Sequence, residues 1–580
     1  MRVRLARVEA LLQDTRAGTE GTGAGAVADA REEDELTEAP LTPSLTIAAS
    51  SGDDDGVGIL PPEEETETPE FATMARKLTG DISRHLKINP GFSRRREPEP
   101  PEFLAWQYVN AYFDESRDVA FGILSRPGFE CRLRTHFENS PTTPLEEDAS
   151  WYALRNVVYA AGCRQIMARE RSGPLLLGQG YGWQYFQNAL SVHTDLLYAR
   201  SSLMAIQALA IMAFFVESIG TPALDYMLSL NAMKLAESKG LHRQAAATWN
   251  LGESALQTRS YIWWSVYGLE RFNAFRWGRP LSIEDRAITC ELPSKVVDGS
   301  MVNLGLLVPA VKHAQILADI TEQFTALKAS TPTLNEVIRT VDHLEKMLRD
   351  WHDSLPPNLR TGTNYSETPE DMDLVHVLYY HYVFWGTLIT IHSILVHPWN
   401  VPKIQTKPIE LLNFRRHSQN STRKVVDASR AMIRTLSHVS IDICSPKWLV
   451  FTYPLTAFMN LFIYILRYPR LPTVESDLDA MYRVCGHFNY MEYTLPEIAF
   501  VFPREATNLA RFAVTKASEN ANRNSGGGKS SQAEWQTTRA MSTSELELPD
   551  FEVPPLYHKS ATDTLELGIE NWDTFLSWPE

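Results

Sequence analysis

Four histidines, His376, His381, His392 and His397, fall in the apolar stretch 371–397, and clustered imidazoles are the first place to look for a transition-metal site. On a helix His381 and His392 share a face to within about 20°, but their separation along the chain amounts to about 16 Å of rise, too far to hold one ion together. His376 and His381 diverge by about 140°, as do His392 and His397. The spacing predicts histidines built into a helical core.

The cysteines carry less chemistry still. Cys131, Cys163, Cys290, Cys444 and Cys485 are each at least thirty residues from the next, so there is no CxxC pair for a zinc ion or a redox couple, and reduced structural thiols are expected. Residues 525–531, SGGGKSS, have the flavour of a phosphate-cradling loop, but the glycine required five places before Gly528 is Arg523. Asp53, Asp54 and Asp55 have the composition of a magnesium site with no helix to aim them, and no GxSxG, HExxH or GxGxxG motif occurs in the helical region. No catalytic, metal or cofactor residue is predicted. An all-α metabolic enzyme remains only as a remote alternative.

The elements that must position any site are helical. Helix-period segments run at 103–114, 151–169, 181–199, 201–218, 223–239, 253–276, 307–328, 333–353, 371–397, 421–438, 448–467, 475–493 and 504–519. Thr221-Pro222 opens one of them, and Gly240 closes it. The pattern predicts an all-α, multi-helix array of about 400 residues, bounded at 101–518, without a fixed-period repeat. Its apolar run Leu203 to Val216 is shorter than the roughly 20 residues that span a bilayer, so no membrane partner is expected.

Flanking segments read differently. Residues 1–14, MRVRLARVEALLQD, space Met1, Leu5, Val8 and Leu12 as a coiled-coil seam of about two heptads. Leu5, Val8 and Leu12 are the dimerisation candidates, with an unpartnered amphipathic helix as the alternative. No secretory signal is recognised there, and a reducing compartment is expected. Residues 15–100 read as a disordered acidic linker ending in Arg94, Arg95 and Arg96. After a polar linker at 519–544, the tail 545–580 interleaves Phe551, Tyr557, Trp572, Phe575 and Trp578 with acids. That is the composition of an amphipathic activation segment, with a docked C-terminal helix as the alternative.

Charge follows the same division. The 580 residues carry a net −16, which taken alone argues against nucleic-acid work. Residues 19–70 hold fifteen acids against Arg31, and 545–580 hold nine against Lys559. Those two segments exceed the whole deficit, so the rest of the chain is net basic.

The most informative stretch is 203–293. Ala232 and Ala236 permit close helix approach, Gly240 suits a left-handed cap before Leu241-His242-Arg243, and Trp263, Tyr267 and Glu270 share a helix face. Gly278-Arg279-Pro280 then turns the chain and is expected to bring Arg279 to a buried carboxylate such as Glu270. IQAL at 206–209, KGLHR, WWSVYGLERF, GRPLSIEDRAITCELP and WHDSLPPNLR at 351–360, in that order, resemble the fungal-specific transcription factor regulatory domain, the middle homology region of fungal zinc binuclear cluster regulators. The resemblance covers roughly 150–400.

That resemblance implies an all-α fold and a nuclear transcription regulator, expected to be an activator of metabolic genes. It implies transcriptional coactivators meeting Phe551, Trp572, Phe575 and Trp578, a homo- or heterodimer, and a small-molecule effector. The family's six-cysteine cluster has no counterpart here. Zinc is therefore expected only if such a segment lies upstream of Met1, and DNA contact either through it or indirectly. A DNA-binding-deficient co-regulator or repressor that dimerises with a full-length relative is the alternative.

Overall fold

The computed structural model describes residues 96–138, 148–170, 175–199, 202–219, 222–362, 365, 373–397, 410–494 and 500–525. Leu5, Val8, Leu12, the acidic run 19–70, Arg94, Arg95, residues 526–531 and the tail residues Phe551, Tyr557, Trp572, Phe575 and Trp578 lie outside the described residues. The described chain is all-α.

Its helices are α1 (Glu102–Glu115), α2 (Arg126–Glu138), α3 (Ala149–Glu170), α4 (Leu175–Leu190), α5 (His193–Tyr198), α6 (Leu203–Ile219), α7 (Pro222–Ser238) and α8 (Glu253–Arg276). The second half supplies α9 (Leu304–Ala329), α10 (Leu334–Ser354), α11 (Leu374–Val396), α12 (Leu411–Thr435), α13 (Tyr453–Arg467), α14 (Val474–Thr494) and α15 (Val501–Ser525).

Local chemistry explains their ends. Thr333 and Glu336 form a reciprocal capping box at the start of α10, whose Leu334, Val337, Ile338, Val341, Leu344, Leu348 and Trp351 then recur on one buried face. Gly240 adopts the expected left-handed cap (φ 66°) and Leu241 donates back to the Ala236 carbonyl at 3.0 Å. Gly278 (φ 56°) ends α8 in the same way, with Arg279 N–H donating to the Ala274 carbonyl at 2.8 Å.

Several boundaries differ from the periodicity. The segment 181–199 breaks into α4 and α5 at Ser191-Val192, and α2 carries too few apolar residues to be recognised, burying only Phe129 and Leu133. The expected helix at 448 begins as a wide π turn, Trp448–Thr452, before Pro454 in the first turn of α13. Residues 96–100 have the composition of linker, yet Glu97 N–H donates to Asn188 at 2.9 Å and Glu99 takes a bidentate pair from Arg155 at 2.8 and 2.9 Å, which ties this end of the expected linker 15–100 to the helices.

Two apolar cores result. The first gathers α1, α3, α4, α6, α7 and most of α8; the second gathers α10 to α15. Helix α9 faces both, giving Leu307, Val311 and Ala314 to the first and Leu306, Leu317 and Ile320 to the second. Where α1 crosses α3 the backbones touch: a Cβ on Gly162 would overlap the Tyr108 carbonyl. Helix α11 and the segment Trp448–Arg467 are long and apolar enough to cross a membrane, but 67% and 72% of their apolar windows are buried among neighbouring helices. That burial is what a core helix requires.

Candidate functional site

The seam between the cores holds a half-open cavity of about 60 Å³. Its walls come from the 3-10 turn Arg117–Phe121, from Phe214 and Glu217 of α6, from Trp264 to Phe272 of α8, from Leu307 to Val311 of α9, from Val375 to Tyr379 of α11, and from Trp448. Phe121 stacks on Phe214 at 5.6 Å, and Trp448 meets Phe272 and Tyr379 edge-on at 6.0 and 5.6 Å. The π turn places Trp448 there.

Charge lies buried beside this apolar lining. Glu217 is paired with Arg117 and lies 3.8 Å from Arg276, whose guanidinium sits 4.4 Å over the Phe272 ring. Arg276 donates to Asn273 at 2.6 Å, and Asn273 donates to fully buried Asp225 at 3.0 Å. Burial pushes the Asp225 carboxyl up to about 6, against the pull of Arg276, and pushes Lys447 down to about 8. These groups link α6, α7 and α8 to the segment that opens α13.

A smaller polar cavity shares Arg117 and Phe214 and adds Asp118, Arg164, Gln165 and Cys444. Arg164 lies 4.0 Å over Phe215 and donates to its carbonyl at 2.7 Å. Burial raises the Cys444 thiol to about 11, so it stays protonated and unreactive. All five cysteines are free, with Cys163 and Cys485 buried.

The loop that follows α8 corrects one sequence expectation. Arg279 does not reach Glu270; the Gly278 cap carries it to the surface. Arg271, fully buried, takes the role instead, donating to Glu270 at 2.5 Å, to the Ile283 carbonyl at 2.5 Å and to Asp285 at 2.9 Å. Tyr267 donates to the other Asp285 oxygen at 2.7 Å, and Ser282 N–H to Glu270 at 3.0 Å. Trp264 then fixes the Glu291 carbonyl at 2.9 Å. Burial works against the Arg271 charge, but Glu270 and Asp285 outweigh it and hold the guanidinium above its ordinary value. The motif is a staple that fixes residues 279–291 to α8.

The four histidines are placed singly. His381 bridges the Arg360 carbonyl (2.8 Å) and Tyr365 (2.7 Å), His392 contacts Ser421 (3.0 Å) and lies 3.2 Å from Glu345, and His397 meets Asn460 at 3.4 Å. Those three are buried in the second core. His376 alone belongs to the seam cavity, where Nε2 meets the Arg117 carbonyl at 3.2 Å. Among the described residues no three histidines, cysteines or carboxylates gather as a metal group.

Arg117, Glu217 and Arg276 are functional-site residues that the sequence does not reveal. Nothing local marks them, since Arg117 and Glu217 are 100 positions apart.

Residues 109–353 match the family described as fungal specific transcription factor domain. The "ABC-transporter-regulating transcription factor" of Aspergillus fumigatus is 26% identical over 459 residues, covering 74% of this chain and 50% of that protein. Its Aspergillus oryzae namesake gives the same figures. The "Fusaridione A cluster transcription factor" of Fusarium heterosporum is 24% identical over 70% of this chain and 76% of its own. The chain thus spans about half the length of the Aspergillus relatives. No solved structure matches. A binuclear zinc cluster does not fit the residues present, because its closely spaced thiolates cannot come from five dispersed cysteines, of which Cys163 and Cys485 are buried on different helices.

Proposed function

We propose, from the premise that residues 109–353 are a fungal specific transcription factor domain, that the whole chain is a nuclear transcription regulator, an activator of a set of metabolic genes. In this reading the helical region 101–518 controls the tail 545–580, whose Phe551, Trp572, Phe575 and Trp578 meet a coactivator groove while the surrounding acids keep them soluble. Leu5, Val8 and Leu12 dimerise the chain. DNA is reached through a zinc cluster carried outside this sequence or through a partner.

The observation that supports control, beyond family membership, is the seam cavity. It lies where α8, α9, α11 and the π turn bring both cores together, so an occupant touches both. Such a guest shifts the balance between arrangements of the halves by its difference in affinity for them. Fusing the chain to a heterologous DNA-binding module and deleting 545–580 tests the assignment: reporter output should fall to the level of the module alone. Unchanged output removes the activation role from the tail.

A further inference from the structure

Helix α12 carries six basic side chains, Arg415, Arg416, Arg423, Lys424, Arg430 and Arg434, against one acid, Asp427. Two of the six are used inside the fold. Lys424 reaches Glu345 of α10 at 2.5 Å, and Arg430 holds buried Asp477 of α14 at 2.7 and 2.9 Å and takes Asp427 at 3.1 Å. The other four are exposed, and among the described residues no carboxylate pairs with them.

Their spacing makes a stripe. Arg416, Arg423 and Arg434 are seven and eleven residues apart, which on an α-helix brings all three within about 20° of one another over a rise of about 27 Å. Leu412, 79% exposed, stands one turn before Arg416 on the same side. A row of unpaired arginines adds nothing to the helix that carries it and fits an anionic partner.

Arginine narrows what kind of anion. A guanidinium pairs with a carboxylate through its edge and stacks on an aromatic ring through its face, so a segment that interleaves acids with rings uses both. Residues 545–580 do so: they hold nine acids against Lys559, with Trp572 next to Asp573 and Trp578 two places before Glu580. The acidic run 19–70 contains no aromatic residue.

The path of the chain favours the same segment. Helix α15 runs antiparallel to α14, with Arg504 3.0 Å from Asn489, Thr507 3.3 Å from Cys485 and Arg511 5.0 Å over the Tyr482 ring. Its last turns therefore lie beside the start of α14, where Arg430 of α12 holds Asp477. Residues 526–544 separate α15 from the tail, and a coil of that length and Gly/Ser content has a root-mean-square reach of about 24 Å. The run 19–70 instead joins the fold through Glu97 and Glu99, bound to Asn188 of α4 and Arg155 of α3 in the first half.

We infer that the arginine face of α12 is the docking surface for this chain's own tail, residues 545–580. Its carboxylates pair with Arg416, Arg423 and Arg434, and the rings of Trp572, Phe575 and Trp578 stack on the guanidinium planes and cover Leu412. Rings held there are withheld from a coactivator, a consequence that rests on the reading of the helical region as the controller of the tail.

Photo-crosslinking of the full chain tests this, with p-benzoylphenylalanine in place of Trp572 and the linked peptides identified by mass spectrometry. Most links should fall within 411–435, and their yield should drop at least about fivefold between about 0.05 and about 0.5 M NaCl, as screening shortens the reach of the charges. The combined variant Arg416→Glu, Arg423→Glu, Arg434→Glu should lose them to the same extent. Arg511→Glu with Lys516→Glu, which reverses two exposed cations on α15 itself, should leave them unchanged.

Links concentrated on another surface, a yield indifferent to salt, or links joining isotopically light and heavy chains in a mixed sample would overturn the assignment. So would their loss on adding one equivalent of random-sequence duplex DNA at about 0.15 M NaCl, which would give the stripe to nucleic acid. The position of the links and their salt response decide the matter even if the triple variant fails to fold. Linking is read without a reporter, so a tail that docks without activating and a tail that activates without docking are separate results: the first removes the activation reading, the second the docking surface.

Discussion

His376 Nε2 hydrogen-bonds the Arg117 carbonyl at 3.2 Å across 259 positions of sequence, joining α11 of the second core to the 3-10 turn of the first. The Arg117 side chain extends the link to Glu217, and Glu217 to Arg276. One hydrogen bond thus ties α11 to the charged network of the first half, alongside the apolar bridge that α9 and the Phe272–Trp448 contact make between the cores.

Glu217→Gln should destabilise the domain by about 3 kcal/mol, because it leaves two largely buried guanidinium groups without their carboxylate. The urea midpoint, with the slope unchanged, reads this. A loss below about 0.5 kcal/mol would mean that water already screens the pair.

The staple after α8 predicts a contrast between neighbouring arginines. Arg271→Met should cost about 3 kcal/mol, since Glu270 is left buried and the Asp285 and Ile283 contacts are lost. Arg279→Met should stay within about 0.5 kcal/mol, as expected for an exposed side chain. Thermal unfolding of the two variants side by side separates them, and similar losses would contradict the staple.

Gly162→Ala adds a single methyl where the Tyr108 backbone leaves no room, and backbone cannot swing aside as a flexible side chain can. The expected cost is about 3 kcal/mol or more, seen as reduced soluble yield and a lowered unfolding temperature. Alanine at Gly252, which has no neighbour within 4 Å of the added atom, is the matched control.

Acid sensitivity should come from His313, which sits between α9 and α11 with Nε2 3.0 Å from Thr387 and its ring 4.8 Å from Trp351. Burial holds its pKa down at about 3, against about 6.5 unfolded. The unfolded chain therefore binds the extra proton between those values. The histidine's contribution to stability is full above about pH 6.5 and falls as pH drops toward 3. His313→Gln should flatten the stability profile between pH 6.5 and 4, measured by urea unfolding at each pH. An unchanged slope would assign the acid sensitivity elsewhere.

Much of this architecture is written locally. Helix α8 begins after Gly252 and ends before Gly278, and its span is the one that periodicity predicts, because the start and stop residues sit in the sequence itself. The fully buried Ala232 and Ala236 likewise follow from spacing. Helix α2 escapes because Arg126, Pro127 and Gly128 open it like a loop, and only tertiary burial of Phe129 and Leu133 selects the helix. The start of α4 is hidden by Gly178, Gly180 and Gly182, the last of which lies against the Ala160 carbonyl of α3.

The site was less legible than the fold. Arg271 and Glu270 are adjacent on α8 and their side chains leave it about 100° apart, so their pairing is not legible from helical spacing. The loop returning over α8 supplies Asp285 and the Ile283 carbonyl and gives Arg271 its remaining partners. The same holds for Arg117 and His376, whose meeting depends on where two cores come to rest.

Control of the acidic-aromatic tail by the helical domain can be read from a single comparison. A DNA-binding module is fused to residues 545–580 alone and, separately, to the full chain, and reporter output is measured at matched protein levels. The tail alone should activate strongly, and the full chain should activate less, because the domain restrains it. Equal output from both, or silence from the isolated tail, would contradict the account.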